Sequence, residues 1–431
     1  MKTGLLTFHA AHHYGAQLQA YALMKAVEAC GSACEVIDYV RPDTEEAKRL
    51  FRPGIAPRSL LANVHTVLHY GALHRRAARF ERFVRDDMIR SPKSYASYAA
   101  LAADAPAYDA YVCGSDQIWN PLIYREKTCV PAFFAGFAAS GRKIAYAPSF
   151  GIAEMPAEHQ PALKDWLAGF ESLSVRERNG EAIIRGVCGR SALTVLDPTL
   201  LLGPAQWNRV AEAPPYATPY LLCYFISDPA GYEPYVTAMA RRLGLSVVSL
   251  CGARRTVRGT ARTVLDAGPR EFLGLFAHAA YVMTDSFHGT VFSINYGRPF
   301  ASFSLAAGGK KKVSSRLDSI LGILGLRSRL VTDGATTPEA VAAWPDVDWE
   351  AVGGALEAER AKSLGYLCAA LFPMGGCDTG ACDLADCEPD TGGPDGGDDG
   401  AGGHGDGVHG DGVHGAGGRG DGGHGDGRWR R

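Results

Sequence analysis

The sequence predicts an α/β protein with parallel sheets, and three observations carry this. Short apolar runs such as Ala110-Tyr111-Val112-Cys113 and Tyr281-Val282-Met283 are continuous rather than alternating, as strands covered on both faces require. Each run hands over at its C-terminal end to polar residues, Gly114-Ser115-Asp116-Gln117 and Thr284-Asp285-Ser286 here, at the rim where open α/β sheets bind ligands. The chain has 431 residues, beyond the size at which single cores stop growing, so two such units are expected. Their expected limits are 1–212 and 213–375, joined by the Pro-rich stretch Ala213–Pro219 and followed by a tail over 376–431.

In order, Gly4–Phe8 reads as a strand, His9–Gly15 as a loop, and Ala16–Ala29 as a helix of strong helix formers closed by Gly31. Glu35–Tyr39 is the next strand. This βαβ opening lacks the G-x-G-x-x-G fingerprint, so no nicotinamide cofactor is indicated. Arg58–Arg90 is helical and basic, with Leu60, Leu61, Val64, Val67 and Leu68 at helical spacing. It reads as a packed helix pair with a solvated cationic face, in preference to the second reading, peripheral membrane contact.

Strands follow at Ala110–Cys113, Lys143–Ala147, Ser172–Val175 and Leu193–Leu196, the last two running into Arg176-Glu177 and Asp197-Pro198-Thr199. Beyond the linker come strand Tyr220–Ile226, helix Tyr232–Leu243, strand Ser246–Leu250, helix Pro269–Ala277, the strand at Tyr281 and another at Phe300–Phe303. Ser314–Leu324 and Asp348–Leu371 read as helices, the second with Asp348 as N-cap and packed back on the body. After Cys377, Gly, Asp and His dominate with almost nothing apolar to bury, so the tail is expected to be disordered.

The bulk numbers exclude several classes. Net charge is -2 and the charged share 21%, so nothing global points to nucleic acid or to an anionic membrane. The first residues form too short an apolar run for a signal peptide, and no run approaches a membrane span. The eleven cysteines, most of them single in apolar surroundings, fit reduced core thiols in a cytoplasmic protein. The spacing of Cys368, Cys377, Cys382 and Cys387 is not that of a zinc site.

The most informative segment runs from Tyr281 to Ile294. A buried strand breaks at a polar hinge and continues as a helix, with His288 and Gly289 at the break. A helix start offers free N–H groups and a positive dipole end for an anion, and the imidazole titrates near neutral pH.

With the hinge, four further motifs occur in order: Tyr14-Gly15-Ala16-Gln17-Leu18-Gln19, Gly114-Ser115-Asp116-Gln117-Ile118-Trp119-Asn120, Ser174-Val175-Arg176-Glu177 and Asp197-Pro198-Thr199-Leu200. On these the chain resembles the polysaccharide pyruvyl transferase family up to about Leu371; the tail has no counterpart. The resemblance implies two Rossmann-like domains facing across a cleft, GT-B-like, the first on the acceptor side and the second on the donor side. It implies transfer of a pyruvyl group from phosphoenolpyruvate to a sugar hydroxyl pair, giving a ketal. Phosphoenolpyruvate is then the donor substrate and a glycan or lipid-linked glycan the acceptor, with no metal or other cofactor. A nucleotide-sugar glycosyltransferase of similar architecture and a non-catalytic carbohydrate-binding relative are the competing readings.

The candidate catalytic residues are His288, as general acid with a pKa near the ordinary ~6.5, and Asp116, which either accepts the acceptor's proton or caps a following helix. The candidate substrate-binding residues are Arg176, Ser286, Gly289, Thr290, Lys311, Arg316, Tyr14, Gly15, Gln19 and Ser115. Arg176 offers a guanidinium fork to a carboxylate or phosphate, or else a salt bridge to Glu177 or a neighbour. His13 stands where the common family form has Asn, and Ser286 where better-known members have Arg. Donor charge is then expected to fall to Lys310-Lys311-Lys312 and Arg316. Trp119 offers a face to a sugar ring or belongs to the core, and Asp197, before Pro198, is expected to fix a turn.

Overall fold

The structure is a computed structural model that describes residues 1–54, 56–215, 219–251, 256–304, 315–332 and 335–373. The Gly/Asp/His-rich tail and Lys310-Lys311-Lys312, and with them the expectations placed on these segments, lie outside the described residues.

Seven strands, β1 (Lys2–Leu6), β2 (Ala33–Tyr39), β3 (Arg90–Tyr95), β4 (Ala110–Cys113), β5 (Arg142–Ala145), β6 (Ser172–Val175) and β7 (Leu193–Thr194), form one sheet in the order β3-β2-β1-β4-β5-β6-β7. Six more, β8 (Tyr220–Phe225), β9 (Ser246–Cys251), β10 (Arg262–Val264), β11 (Tyr281–Thr284), β12 (Phe300–Phe303) and β13 (Leu330–Val331), form the second in the order β10-β9-β8-β11-β12-β13. Every pairing in both sheets is parallel. The α/β class is therefore as expected. Both orders are doubly wound, and each reverses beside its first strand, between β1 and β4 and between β8 and β11. A reversal of this kind opens a crevice at the carboxyl ends of the strands.

All central strands, and the edge strand β7, are read from the sequence. All residues of β4, β8, β11 and β12 are buried, which explains their unbroken apolar runs. The missed strands are β3, β10 and β13. The first two are edge strands with largely exposed residues, and β3 carries Pro92, which an edge tolerates; β13 is two residues long.

Aromatic packing joins the two sheets. Tyr14 stacks on Phe272 with centroids 4.6 Å apart and also meets Phe80, while Arg270 grips Asp87 through two nitrogens at 3.0 and 2.9 Å. The last helix, Trp349–Leu371, runs to the first sheet, where Tyr366 donates to the Ala145 carbonyl at 2.9 Å and Ser363 accepts from the Leu196 amide at 3.0 Å.

Two expectations are corrected. Cys30, at the end of the helix Tyr14–Ala29, forms a disulfide with Cys368 of the last helix. Cysteine usage is therefore no argument for a reducing compartment. Cys34, Cys113, Cys129 and Cys223 remain buried free thiols, and burial raises the pKa of each. The second correction concerns the basic stretch. It does form two helices, Pro57–Leu68 and Tyr70–Asp87, but Leu60, Leu61, Val64, Val67 and Leu68 face solvent instead of packing. Among the described residues, no helix is long and apolar enough to cross a membrane.

Candidate functional site

A cleft of about 510 Å³ lies where the two switch points meet, with Phe8, His13, Asp116 and Gln117 from the first sheet's loops facing Ser286, Phe287, His288 and Arg316. That volume lies within the range of small-molecule sites.

His288 is the second residue of the helix Phe287–Asn295. Ser286 caps this helix, its hydroxyl accepting from the Gly289 amide at 3.3 Å. The imidazole is buried, and its Nε2 lies 3.9 Å from Asp197 Oδ2 without a hydrogen-bond partner among the described residues. Burial pulls its pKa down to about 4, against the attraction of Asp197 and Asp116. The expected ordinary histidine pKa is thus corrected: in the open cleft His288 is neutral at pH 7.

Arg176, at the end of β6, is buried among three carboxylates. Its Nη1 donates to Asp197 Oδ2 at 2.8 Å, Nη2 lies 3.5 Å from Asp116 Oδ1, and Nε lies 3.9 Å from Glu177 Oε2. Nε and Nη2 have no hydrogen-bond partner among the described residues. Unsatisfied buried guanidinium donors are costly and suit an incoming acceptor. The salt-bridge reading is therefore correct for Nη1, while the fork retains donors. The guanidiniums of Arg176 and Arg316 lie over the Phe287 ring, 4.7 and 5.7 Å from its centroid. Burial, then the nearby Arg176, pulls the Arg316 pKa down.

Asp116 lines the cleft with a left-handed backbone at φ 62°, uncommon for a residue with a side chain. Its Oδ1 accepts from the Gln117 amide at 2.8 Å. No helix begins here. The short turn Pro121–Ile123 that follows is capped by Asn120, so the capping reading of Asp116 falls. Burial raises its pKa, but Arg176, then His288 and His13, outweigh that and hold it below the ordinary carboxylate value.

Asp197 does more than fix a turn. Oδ1 accepts from the Thr199 amide and hydroxyl at 3.0 and 2.7 Å, while Oδ2 faces both Arg176 and His288. It orients the two groups, a role sequence reasoning missed. The one available signal was its place at a strand end inside a recognised motif. His13 was also undervalued: it lines the cleft and caps the helix Tyr14–Ala29, its Nδ1 accepting from the Ala16 amide at 3.2 Å. Burial lowers its pKa too.

Several expected binding residues sit behind the cleft. Tyr14 is buried, its hydroxyl donating to the Ala267 carbonyl at 2.9 Å. Gln19 donates to Thr7 Oγ1 at 2.8 Å and accepts from the Ser115 amide at 3.1 Å, and Ser115 donates to the Ala147 carbonyl at 2.8 Å. Gly289 allows close packing on Thr284, and Thr290 pairs with Ser302 at 2.6 Å. All five brace the walls, the polar side chains bonded to buried neighbours. Trp119 is core, with its Nε1 donating to the Phe133 carbonyl at 3.0 Å. Gly15 meets the His288 ring directly. Among the described residues, no group of three or more metal-ligating side chains occurs.

The sequence model of the family described as polysaccharide pyruvyl transferase matches residues 13–306. No curated protein matches the chain. Among solved structures the chain is similar to glycosyltransferase UGT89C1 of Arabidopsis thaliana complexed with UDP-L-rhamnose, at 13% identity over 86% of this chain and 98% of that one, TM-score 0.46. It is similar to the E. coli heptosyltransferase WaaC at 14% identity over 79% and 98%, TM-score 0.38. A mutant Thermobaculum terrenum O-GlcNAc transferase shows 12% identity over 86% of this chain and 66% of that one, TM-score 0.43.

Proposed function

Since the chain belongs to the polysaccharide pyruvyl transferase family, we propose that it transfers the pyruvyl group of phosphoenolpyruvate to two hydroxyls of a glycan or lipid-linked glycan, forming a ketal. The observation that carries the reading is the meeting of His288 and Asp116 in the lining of one cleft, with the unsatisfied fork of Arg176 buried behind its wall, 3.5 Å from Asp116.

Arg176 and Arg316 hold the donor's carboxylate and phosphate. The donor's negative charge raises the His288 pKa, so the imidazole is charged when the donor is bound. His288 then protonates the methylene carbon of phosphoenolpyruvate, and C2 becomes electrophilic. One sugar hydroxyl adds to C2 and passes its proton to Asp116. The second hydroxyl attacks C2 and gives its proton to His288, while Asp116 hands the first hydroxyl's proton to the departing phosphate. The methyl group thus keeps the proton from His288, which the second hydroxyl replaces, and phosphate leaves with the proton of the first. No cofactor enters this sequence.

Thermal shift with phosphoenolpyruvate and a panel of nucleotide sugars tests the donor. Stabilisation by phosphoenolpyruvate without any nucleotide sugar is expected. Stabilisation by a nucleotide sugar alone overturns the reading.

A further inference from the structure

The helix Pro57–Leu68 is amphipathic with its apolar side outward. Leu60, Leu61, Val64, Val67 and Leu68 recur at i, i+1, i+4, i+7 and i+8, one stripe of a helix, and their exposures are 51, 70, 57, 64 and 74%. In a surface helix that stripe normally faces the core. Here the inner face is polar instead. Thr66, the buried residue of the helix, donates to the carbonyls of Leu50 and Ala62 at 3.1 and 3.0 Å, and the Asn63 amide group bonds the Arg52 backbone on both sides at 2.8 and 3.0 Å. Side-chain hydrogen bonds therefore fix the orientation that leaves the stripe uncovered. An apolar stripe of this extent on a polar-backed element marks an interaction surface.

Charge identifies the partner. Between Glu46 and Glu81 the sequence has seven Lys or Arg residues and no Asp or Glu, in a chain whose net charge is -2. Arg49, Arg52 and Arg58 of that stretch are exposed. Lys48, Arg75 and Arg79 pair with carboxylates of Glu45, Asp266 and Glu271, while Arg49, Arg52 and Arg58 flank the outward apolar stripe, as in a helix that lies in the interface of an anionic bilayer. A second copy of the chain would bring like charges together.

We infer that Pro57–Leu68 docks this protein on an anionic lipid surface, with the stripe in the acyl boundary and the arginines at the headgroups. The next helix, Tyr70–Asp87, links this surface to the cleft: Arg76 lies 5.4 Å over the Tyr14 ring, and Tyr14 adjoins His13 in the cleft wall. Resting on the pyruvyl transferase reading, this placement selects a lipid-linked glycan as acceptor; the docking itself does not depend on that reading.

The test is co-sedimentation of the full chain with vesicles of phosphatidylcholine alone or mixed with phosphatidylglycerol. Binding to the mixed vesicles is expected, weakened at least about tenfold without the anionic lipid and by Arg52→Glu/Arg58→Glu. Leu61→Glu/Leu68→Glu is expected to abolish it while thermal unfolding is unchanged, because both side chains are exposed. Absence of vesicle binding, or binding that either double variant leaves intact, overturns the inference. So does a dimer in sedimentation analysis that Leu61→Glu/Leu68→Glu dissociates, since the stripe would then be covered by a second copy. Neither readout requires donor or turnover, so failure here is distinct from failure of the transferase reading.

Discussion

Gly15 lies flat against the imidazole of His288. A Cβ added at Gly15 would stand 2.0 Å from Nδ1 and 2.3 Å from Cε1. The first helix of one sheet thus sets the position of the proposed acid on the other, and only a residue without a side chain permits it. Gly15→Ala must displace the ring, and a misplacement of about 1 Å costs about a hundredfold in kcat/KM. Phosphate release from phosphoenolpyruvate in the presence of acceptor measures this. If the loss passes through His288, the Gly15→Ala/His288→Ala double variant is no worse than His288→Ala alone.

Burial of a neutral imidazole has a stability consequence in acid. The unfolded chain binds a proton at His288 near pH ~6.5, whereas the folded chain does so only near about 4. Its contribution is complete above pH ~6.5 and is lost as pH falls toward 4, a change on the order of 3 kcal/mol. Asp116 and Asp197, both lowered from 3.8, act below that window. Urea unfolding at pH 7.5 and 4.5 is expected to show a smaller loss of stability for His288→Asn than for the parent chain.

The two arginines separate binding from folding. Arg176 faces three buried carboxylates, so Arg176→Ala leaves that buried negative charge without its guanidinium and costs about 3–5 kcal/mol of stability. Arg316 lines the cleft with its guanidinium over Phe287. Arg316→Ala is expected to weaken phosphoenolpyruvate about tenfold or more, the worth of a charge-assisted contact, with a much smaller shift in Tm. Calorimetric titration and thermal unfolding of both variants check the contrast.

The Cys30–Cys368 disulfide spans 338 residues of sequence and ties the last helix to the first. The chain-entropy relation gives about 6 kcal/mol for so long a loop, above the about 2–4 kcal/mol that disulfides typically contribute. Cys30→Ser/Cys368→Ser is therefore expected to unfold several degrees lower, and reductant is expected to lower the Tm of the parent chain but not of the variant.

Legibility in the sequence followed burial. Strands covered on both faces, such as Tyr281–Thr284, announce themselves as apolar runs, whereas Arg90–Tyr95 at a sheet edge reads as polar loop. At the cleft, His288, Asp116 and Arg316 were marked by their motifs or their charge and line it together, with Arg176 buried beside Asp116. What the motifs could not separate was lining from bracing. Tyr14, Gln19, Ser115 and Thr290 belong to the same motifs, but their polar atoms are spent on neighbours. The depressed pKa of His288 and the outward turn of Leu61 and Leu68 depend on packing between segments far apart in sequence, which no local pattern encodes.

The central claim is tested most directly by mass spectrometry of a glycan library incubated with phosphoenolpyruvate. The account predicts an acceptor heavier by one pyruvate less water, inorganic phosphate released in equal amount, and neither with His288→Ala. Turnover retained in His288→Ala, or a sugar transferred from a nucleotide donor with no pyruvylated product, would contradict it.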